Sequence, residues 1–500
     1  MIHATPAILG LDLSTFAAVL FGIFVVIDLV LRVIALGVVP ENRRPSSGMA
    51  WLILILFFPI PGFGLFLLLG GTSVGRLRRD RQSEALAHLR SRVESLDPTL
   101  FAAAPEDGPS YLPSAIALNR QLGALPAVAT GSVDVFSDYD ESLAAMARAI
   151  DEARERVHIE FYIMAWDETT APVFDALVAA RQRGVVVRLL FDHLGSRKME
   201  GFEEFQKKLD AAGFEWRPML PLHVLKGDVR RPDLRNHRKI LVNDGVVAYT
   251  GSQNLVERSY HNEKHRKAGR KWVELTCRVT HGLAASLDAV FATDWYSETG
   301  ELLDLSRAAD GPATDEVAGL GQVVPSGPGV VAENNLRLFT LLLYGATKRI
   351  SLTSPYFVPD ESLLYAVTTA AERGVEVELF VGEEGDQFMV YHAQRSYYQA
   401  LLKAGVRIWL YEAPLVLHSK HFSIDDDVVV IGSSNMDQRS FSLNYEVSLM
   451  LASRAAVDQM RLVEDAYRGR SRELTLAEWE TRTRRQRYVD NVMRLTAALQ

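Results

Sequence analysis

One pattern occurs twice in this chain, and it limits the fold more than any other feature of the sequence. His237-Arg238-Lys239 leads to Asp244 and then to Gly251-Ser252-Gln253-Asn254; His418-Ser419-Lys420 leads to Asp425 and then to Gly432-Ser433-Ser434-Asn435. In each copy the His precedes the Lys by two residues, the Asp by seven and the Asn by seventeen, and the copies stand 181 residues apart. A single His-x-Lys carries little information, but four shared offsets carry a great deal. The flanking sequence repeats as well, with Arg183-Gly184-Val185 and Arg373-Gly374-Val375 lying 190 residues apart. Around the first of these, apolar patterning predicts a strand over 157–164, a helix over 171–183 and a strand over 185–192, with Gly184 ending the helix. Alternating short strands and helices indicate an α/β sheet. A duplicated α/β unit, its halves separated by the Pro/Gly-bearing stretch 308–328, accounts for the repetition.

The spacing also suggests chemistry. Residues two apart on a strand face the same side, so His237 projects with Lys239 and His418 with Lys420. Asp244-Gly245 and Asp426-Asp427 read as hairpin turns that return the chain to Gly251 and Gly432, where small residues let backbone and the Asn side chain approach a ligand. Facing each other, the two copies present two imidazoles, two ammonium groups, the amides Asn254 and Asn435, and the hydroxyls Ser252 and Ser433. That collection suits a phosphodiester: cations and donors for the phosphoryl oxygens, and two groups that titrate near neutrality. Asp244 and Asp425 belong to the motif, yet Asp425 falls on the opposite strand face from His418, which makes both aspartates turn residues in this reading.

The N-terminus departs from a soluble pattern. Residues 16–39 are apolar except for Asp28 and Arg32, which are four apart and share a helix face. This run is long enough to cross a hydrocarbon core of about 30 Å. A second apolar run over 49–71 is interrupted by Pro59, Pro61, Gly62 and Gly64 and is expected to cross or to re-enter. No basic segment precedes the first run, which disfavours a cleaved signal peptide. Arg76, Arg78, Arg79 and Arg81 then favour a cytoplasmic body, although Arg43 and Arg44 in the intervening loop oppose it. These arginines and Arg482, Arg484, Arg485 and Arg487 could attract anionic headgroups. The net charge of −8 lacks the basic excess of a nucleic-acid binder. Cys277 is the single cysteine and lies in an apolar-alternating run, so it reads as an inert buried thiol.

At these motifs the chain resembles the phospholipase D superfamily, and within it the bacterial cardiolipin synthases. The strand Glu160-Phe161-Tyr162, the segment Ser354-Pro355-Tyr356-Phe357-Val358-Pro359-Asp360 and the run Asn435-Met436-Asp437-Gln438-Arg439-Ser440-Phe441 carry that resemblance, together with Leu443-Asn444-Tyr445-Glu446 and the hydrophobic N-terminus. It implies two similar phospholipase D-type α/β/α units packed as a pseudo-dimer behind a transmembrane helical hairpin. It also implies a covalent mechanism without metal or cofactor. One histidine attacks phosphorus while the other protonates the leaving alkoxide and then deprotonates the incoming alcohol. The family places the nucleophile at His237 and the acid/base at His418; the near-symmetric sequence makes no such assignment. Each histidine needs an orienting carboxylate, and Glu274 and Glu446 stand at the family positions, 37 and 28 residues after His237 and His418.

The resulting division is a membrane hairpin over 1–75, a basic linker with helix over 76–130, catalytic domains over 131–307 and 329–470 joined by the linker 308–328, and a basic helical tail over 471–500. The polar insert 257–271 reads as a solvated loop, with His261 and His265 against a metal pair, and residues 387–392 as either a packed helix or an entrance for acyl chains. The expected partners are phosphatidylglycerol, the cardiolipin product and the bilayer. Hydrolysis in the manner of a lipase, another acceptor such as phosphatidylethanolamine, and an inactive scaffold are the competing readings. Nothing in the sequence sets an oligomeric state.

Overall fold

The computed structural model describes residues 13–41, 45–71, 75–96, 100–221, 233–305, 319–328 and 333–497. Two compact units divide the chain, one comprising the N-terminal 72 residues and the other nearly all the rest.

In the N-terminal unit, α1 (Leu13–Val38) is a 26-residue helix. At 1.5 Å per residue it is about 39 Å long, enough to cross a bilayer core. Arg32 Nε lies 2.8 Å from Asp28 Oδ2, so the two charges on this helix neutralise each other locally. The second apolar run is not one span. It forms α2 (Pro45–Phe57) and α3 (Pro59–Leu69), 13 and 11 residues long. Neither exceeds about 20 Å, well short of the roughly 30 Å of hydrocarbon. Pro59 in the first turn of α3 has no N–H to continue α2, which is why the run breaks there. Trp51 and Phe66 meet edge to face at 5.6 Å, and Ile55 and Phe66 pack with Ala35 of α1 and with Val39 just after it. The second run, expected to cross or to re-enter, thus forms two short helices after one long one.

The second unit contains two large mixed sheets whose strand orders correspond. In the first half the spatial order is Val133–Phe136, Thr276–Thr280, Val247–Gly251, Lys239–Asn243, Arg156–Phe161, Val186–Asp192 and Glu215–Met219. In the second half the order Glu446–Ala452, Val428–Gly432, His421–Ile424, Arg349–Thr353, Glu376–Gly382 and Arg407–Tyr411 repeats the last six of these. The repeated Arg-Gly-Val turns end equivalent helices in the same way. Gly184 and Gly374 both take φ +91°, and Val185 and Val375 donate back to Ala180 O and Ala370 O at 3.0 and 3.1 Å. This left-handed ending needs glycine because a Cβ would be strained there.

The stretch read as an interdomain linker supplies a strand instead. Gly319–Ser326 pairs with Glu446–Ala452 and with Val128–Thr130, so it extends the second sheet and leaves Val128–Thr130 as the end strand. A Cβ at Gly319 would stand 2.4 Å from Ala452 O, so this glycine marks close strand approach, not a flexible linker. Beyond it, the tail adds the edge strand Ser471–Leu474 to the same sheet.

One apolar core joins the halves. Ile240, Val242, Leu275, Cys277, Leu283 and Leu287 of the first half share it with Val429, Ile431, Val447, Leu449 and Met460 of the second. Burying each large aliphatic side chain contributes about 1.5–3 kcal/mol. Gln459, on the second-half helix Arg454–Gly469, stitches the junction further. It accepts from Val135 N at 3.0 Å and donates to Val133 O at 2.8 Å on the first sheet. Cys277 is buried here, where desolvation pushes its thiol up to about 12.

The helix α4 (Arg76–Ser95) follows the N-terminal unit in sequence, and two of its arginines, Arg78 and Arg81, turn inward. Arg78 is ion-paired with Glu298, its Nε donates to the Tyr445 hydroxyl at 3.3 Å, and its guanidinium lies over the Tyr445 ring. Gln82 donates to the same hydroxyl at 2.6 Å. Arg81 donates to Ser297 O and Glu298 O at 3.3 and 3.4 Å, where the helix Gly282–Thr299 ends and its carbonyls favour a cation. Arg78 and Arg81 are thus internal ties, which corrects their reading as headgroup contacts. Arg78→Ala leaves Glu298 without its partner in a desolvated position and is expected to cost about 3 kcal/mol. A matching loss in denaturant-induced unfolding checks this; an unchanged midpoint would mean that α4 does not dock.

Candidate active site

Both histidines sit in extended segments that run up to a central strand. These segments are held by the opposite half. His237 N donates to Tyr445 O at 2.8 Å, and Tyr445 N donates to Arg235 O at 2.9 Å. His418 N donates to Val273 O at 2.8 Å, and Val416 N to Lys271 O at 3.0 Å. In each case the accepting carbonyl immediately precedes a glutamate of the other half, Glu446 or Glu274.

The side chains cross in the same way. His237 Nδ1 lies 3.0 Å from Glu446 Oε2 and 3.0 Å from Ser433 O. His418 Nδ1 lies 2.7 Å from Glu274 Oε1. Sequence distance pairs each glutamate with the histidine of its own half; the structure exchanges them. With Nδ1–H donated to a carboxylate, each ring keeps Nε2 for chemistry.

Ser252 and Ser433 stand behind these carboxylates. Ser252 Oγ donates to Glu274 Oε2 at 2.6 Å, and Ser433 Oγ donates to Glu446 Oε2. Their hydroxyls are therefore committed to the glutamates, which corrects the expectation that they face phosphate. Gly251 and Gly432 permit this geometry, since a Cβ would come 2.2 Å from Leu275 O and 2.3 Å from Val447 O.

The lysines meet at the same place. Lys239 Nζ donates to His237 O at 2.5 Å and lies 5.4 Å above the Tyr162 ring. Lys420 Nζ donates to His418 O and lies 3.1 and 3.3 Å from the nitrogens of the His418 ring. Asn254 donates from Nδ2 to the Tyr260 hydroxyl at 2.8 Å and accepts from Ile163 N at 3.2 Å. Asn435 Oδ1 is buried and has no hydrogen-bond partner among the described residues.

The motif aspartates stand apart from the group and occupy turns, the position that the strand-face argument gives them. Asp244 and Asp425 occupy left-handed turns at φ +54° and +49°. The Asp244 carboxylate accepts from the amides of Arg154, Glu155 and Arg156 at 2.8–2.9 Å, and the Asp425 carboxylate from Thr347, Lys348 and Arg349 at 2.7–2.9 Å. Each ties a hairpin turn to the start of the neighbouring central strand, which sets the register that aims the lysine.

Three tyrosines were not foreseen. The Tyr162 ring meets His237 edge-on at 5.0 Å, and Tyr356 meets His418 at 6.3 Å. Tyr260 comes from the insert read as a solvated loop. Its hydroxyl donates to Glu274 Oε1 at 3.2 Å, and its ring lies 6.4 Å from His418. Both Tyr260 and His261 have positive φ, +58° and +54°, a conformation that costs about 1–2 kcal/mol per residue. The His261 ring, 2.8 Å from Asp167, helps to hold that turn, while His265 turns to Ser259 O at 3.1 Å. The two histidines serve different partners, and polar composition alone gives no sign that Tyr260 turns inward. His421 also faces away from the site, toward Tyr467 at 5.9 Å, and burial pushes it down to about 3.

Charge in the site is unevenly shared. Burial, followed by the charges of Lys239, Lys420 and His418, holds His237 well below the usual histidine range. Burial also lowers His418, but Glu274 pulls it back. Burial brings Lys239 down to about 7 and Lys420 down to about 8. It raises Glu446 to about 7, whereas at Glu274 burial is outweighed by His418 and Lys420 and the carboxyl stays low. Such a site is short of negative charge, and a bound phosphoryl anion supplies it.

Two outcomes follow from this geometry. Each Nδ1–H is expected as a downfield proton resonance. Glu446→Gln should shift the one that His237→Ala deletes, Glu274→Gln the one that His418→Ala deletes, and each should lower turnover about 10²- to 10⁴-fold; the reverse pairing of resonances would refute the crossing. Sulfate binding, measured calorimetrically, is expected to weaken above about pH 8. There the free lysines are neutral and must each gain a proton on binding, a loss of up to about tenfold per pH unit per lysine. Constant affinity to pH 9.5 would contradict it.

Comparison with known proteins agrees with this geometry. The family described as "Cardiolipin synthase, PLD-like domain" matches residues 146–295 and 340–463. Cardiolipin synthase A of Pectobacterium carotovorum subsp. carotovorum (strain PC1) is 31% identical over 465 residues, covering 92% of this chain and 94% of its own. Cardiolipin synthase A of Yersinia pseudotuberculosis serotype IB (strain PB1/+) is 32% identical over 452 residues, with 90% and 92% covered. The crystal structure of phosphatidylserine synthase from Haemophilus influenzae Rd KW20 shares the fold, with a TM-score of 0.57 at 16% identity, over 77% of this chain and 98% of that one. By sequence and by fold, the chain belongs to the cardiolipin synthase family with phospholipase D-like domains.

Proposed function

We propose that the protein is a cardiolipin synthase that transfers a phosphatidyl group from one phosphatidylglycerol to another and releases glycerol. The observation that carries this reading is the pair of crossed His–Glu contacts, which make one phosphoryl-transfer site from two halves. His237, kept unprotonated by burial and the neighbouring cations, attacks the donor phosphorus through Nε2. The phosphorus–oxygen bond to glycerol breaks as His418, paired with the ionised Glu274, gives that oxygen its proton. The terminal hydroxyl of the second phosphatidylglycerol then loses its proton to His418 and attacks phosphorus, and the bond to His237 breaks. Lys239, Lys420, Asn254 and Asn435 hold the phosphoryl oxygens; Ser252 and Ser433 orient the carboxylates.

The membrane supports the same reading. In our arrangement α1 crosses once and the short α2 and α3 re-enter. The catalytic body then faces the cytoplasm, the side that the basic residues after the apolar runs favour. Confinement of enzyme and lipid alcohol to one surface favours the alcohol over water.

Purified protein in vesicles with labelled phosphatidylglycerol tests the proposal. The expected products are cardiolipin and glycerol in equal amounts, with at least a 10⁴-fold loss of both in His237→Ala and in His418→Ala as an order of magnitude. Phosphatidic acid as the main product would replace transfer by hydrolysis.

A further inference from the structure

Two segments about a hundred residues apart in sequence form one surface beside the active site. The helix Phe388–Arg395 packs along the helix Arg484–Arg494. Asp490 is buried between His392 at 2.7 Å, Arg395 at 3.4 Å and Arg482 at 2.7 Å. Arg494 lies 4.7 Å over the Tyr397 ring. Residue 392 therefore sits beside 490 and 397 beside 494, so the helices run parallel and their N-terminal turns adjoin.

Those turns carry an unusual combination. Phe388, Met389 and Tyr488 are 65%, 44% and 70% exposed. Arg484, Arg485 and Arg487 are exposed around them and have no carboxylate within ion-pair distance among the described residues. By contrast, Arg468, Arg472 and Arg482 nearby are all paired. In a chain of net charge −8, a cluster of unpaired arginines around bare aromatic side chains needs an explanation. The patch is also close to the chemistry. Gln387, just before the first helix, donates to the Tyr356 hydroxyl at 2.9 Å. That hydroxyl donates to Asp386 at 2.7 Å, and the Tyr356 ring meets His418 edge-on.

We propose that these adjoining turns dock on an anionic phospholipid surface, with Phe388, Met389 and Tyr488 entering the headgroup layer and the three arginines pairing with lipid phosphates. Apolar protrusions ringed by cations are the chemistry of interfacial binding, in which each basic residue adds about fivefold to affinity for an anionic membrane. The contact turns the Tyr356 and His418 side of the site toward the lipid, independently of the N-terminal helices. The choice of partner rests on the lipid-transfer reading above.

The test uses the full chain in phosphatidylcholine vesicles with and without phosphatidylglycerol. Cys277 is buried, so Phe388→Cys offers one reactive thiol for an environment-sensitive NBD label. The label is expected to shift to the blue and to be quenched by spin-labelled lipid only when phosphatidylglycerol is present. Arg484→Gln/Arg485→Gln/Arg487→Gln in this background should raise the phosphatidylglycerol fraction for half-maximal insertion at least fivefold, and the corresponding lysine replacements should restore it. An unquenched label in both vesicles overturns the proposal, as does loss of insertion in the lysine variant. Product analysis of the same vesicles separates the two readings. Insertion without cardiolipin defeats the proposed activity alone, and cardiolipin without insertion defeats the docking surface alone.

Discussion

The contact on which the rest of this structure depends is the hydrogen bond from each histidine to a glutamate of the other half. His237 is oriented by Glu446 and His418 by Glu274, and each histidine's backbone is held one residue away from that glutamate. Neither half can therefore orient its own imidazole. The shared core from Ile240 to Met460 brings the halves to a fixed separation, and the serines behind the glutamates remove the remaining freedom of the carboxylates. Preorganisation of this kind places charge and proton acceptors before substrate arrives, which is where most of the catalytic advantage of such sites originates.

The site works against its own stability. Two buried lysines and two histidines with low proton affinity mean that desolvation is only partly offset by the two carboxylates. A phosphoryl group completes the charge balance, so the same imbalance that penalises the empty site favours the bound anion. The pseudo-twofold arrangement is broken on one side. Tyr260 donates to the Glu274 oxygen that faces His418, while Asn444 donates at 3.4 Å to the Glu446 oxygen turned away from His237. Equal motifs thus sit in unequal fields.

The same economy governs the elements outside the repeats. The helix α4 commits Arg78, Arg81 and Gln82 to the Tyr445 corner, directly beside Glu446. A basic run looks alike in sequence whether its charges face lipid or protein. Burial separates the two cases: Arg78 is enclosed by Glu298 and Tyr445, whereas Arg484, Arg485 and Arg487 are exposed and meet no carboxylate among the described residues.

The sequence by itself determined what is local or periodic. The repeated offsets named the histidines, lysines and asparagines; the Arg-Gly-Val turns located the helix ends; the apolar runs located α1 and the break before α3. Each of these is written into a few consecutive residues by side-chain period or backbone preference. Only the tertiary structure decided what depends on residues far apart in the chain. It exchanged the glutamates between halves, turned Ser252 and Ser433 toward them, set Asp244 and Asp425 on backbone amides, and drew Tyr260 out of a polar insert. Those outcomes follow from how two sheets pack across one core, and hydrogen-bond partners across such a junction leave no spacing in the sequence to read.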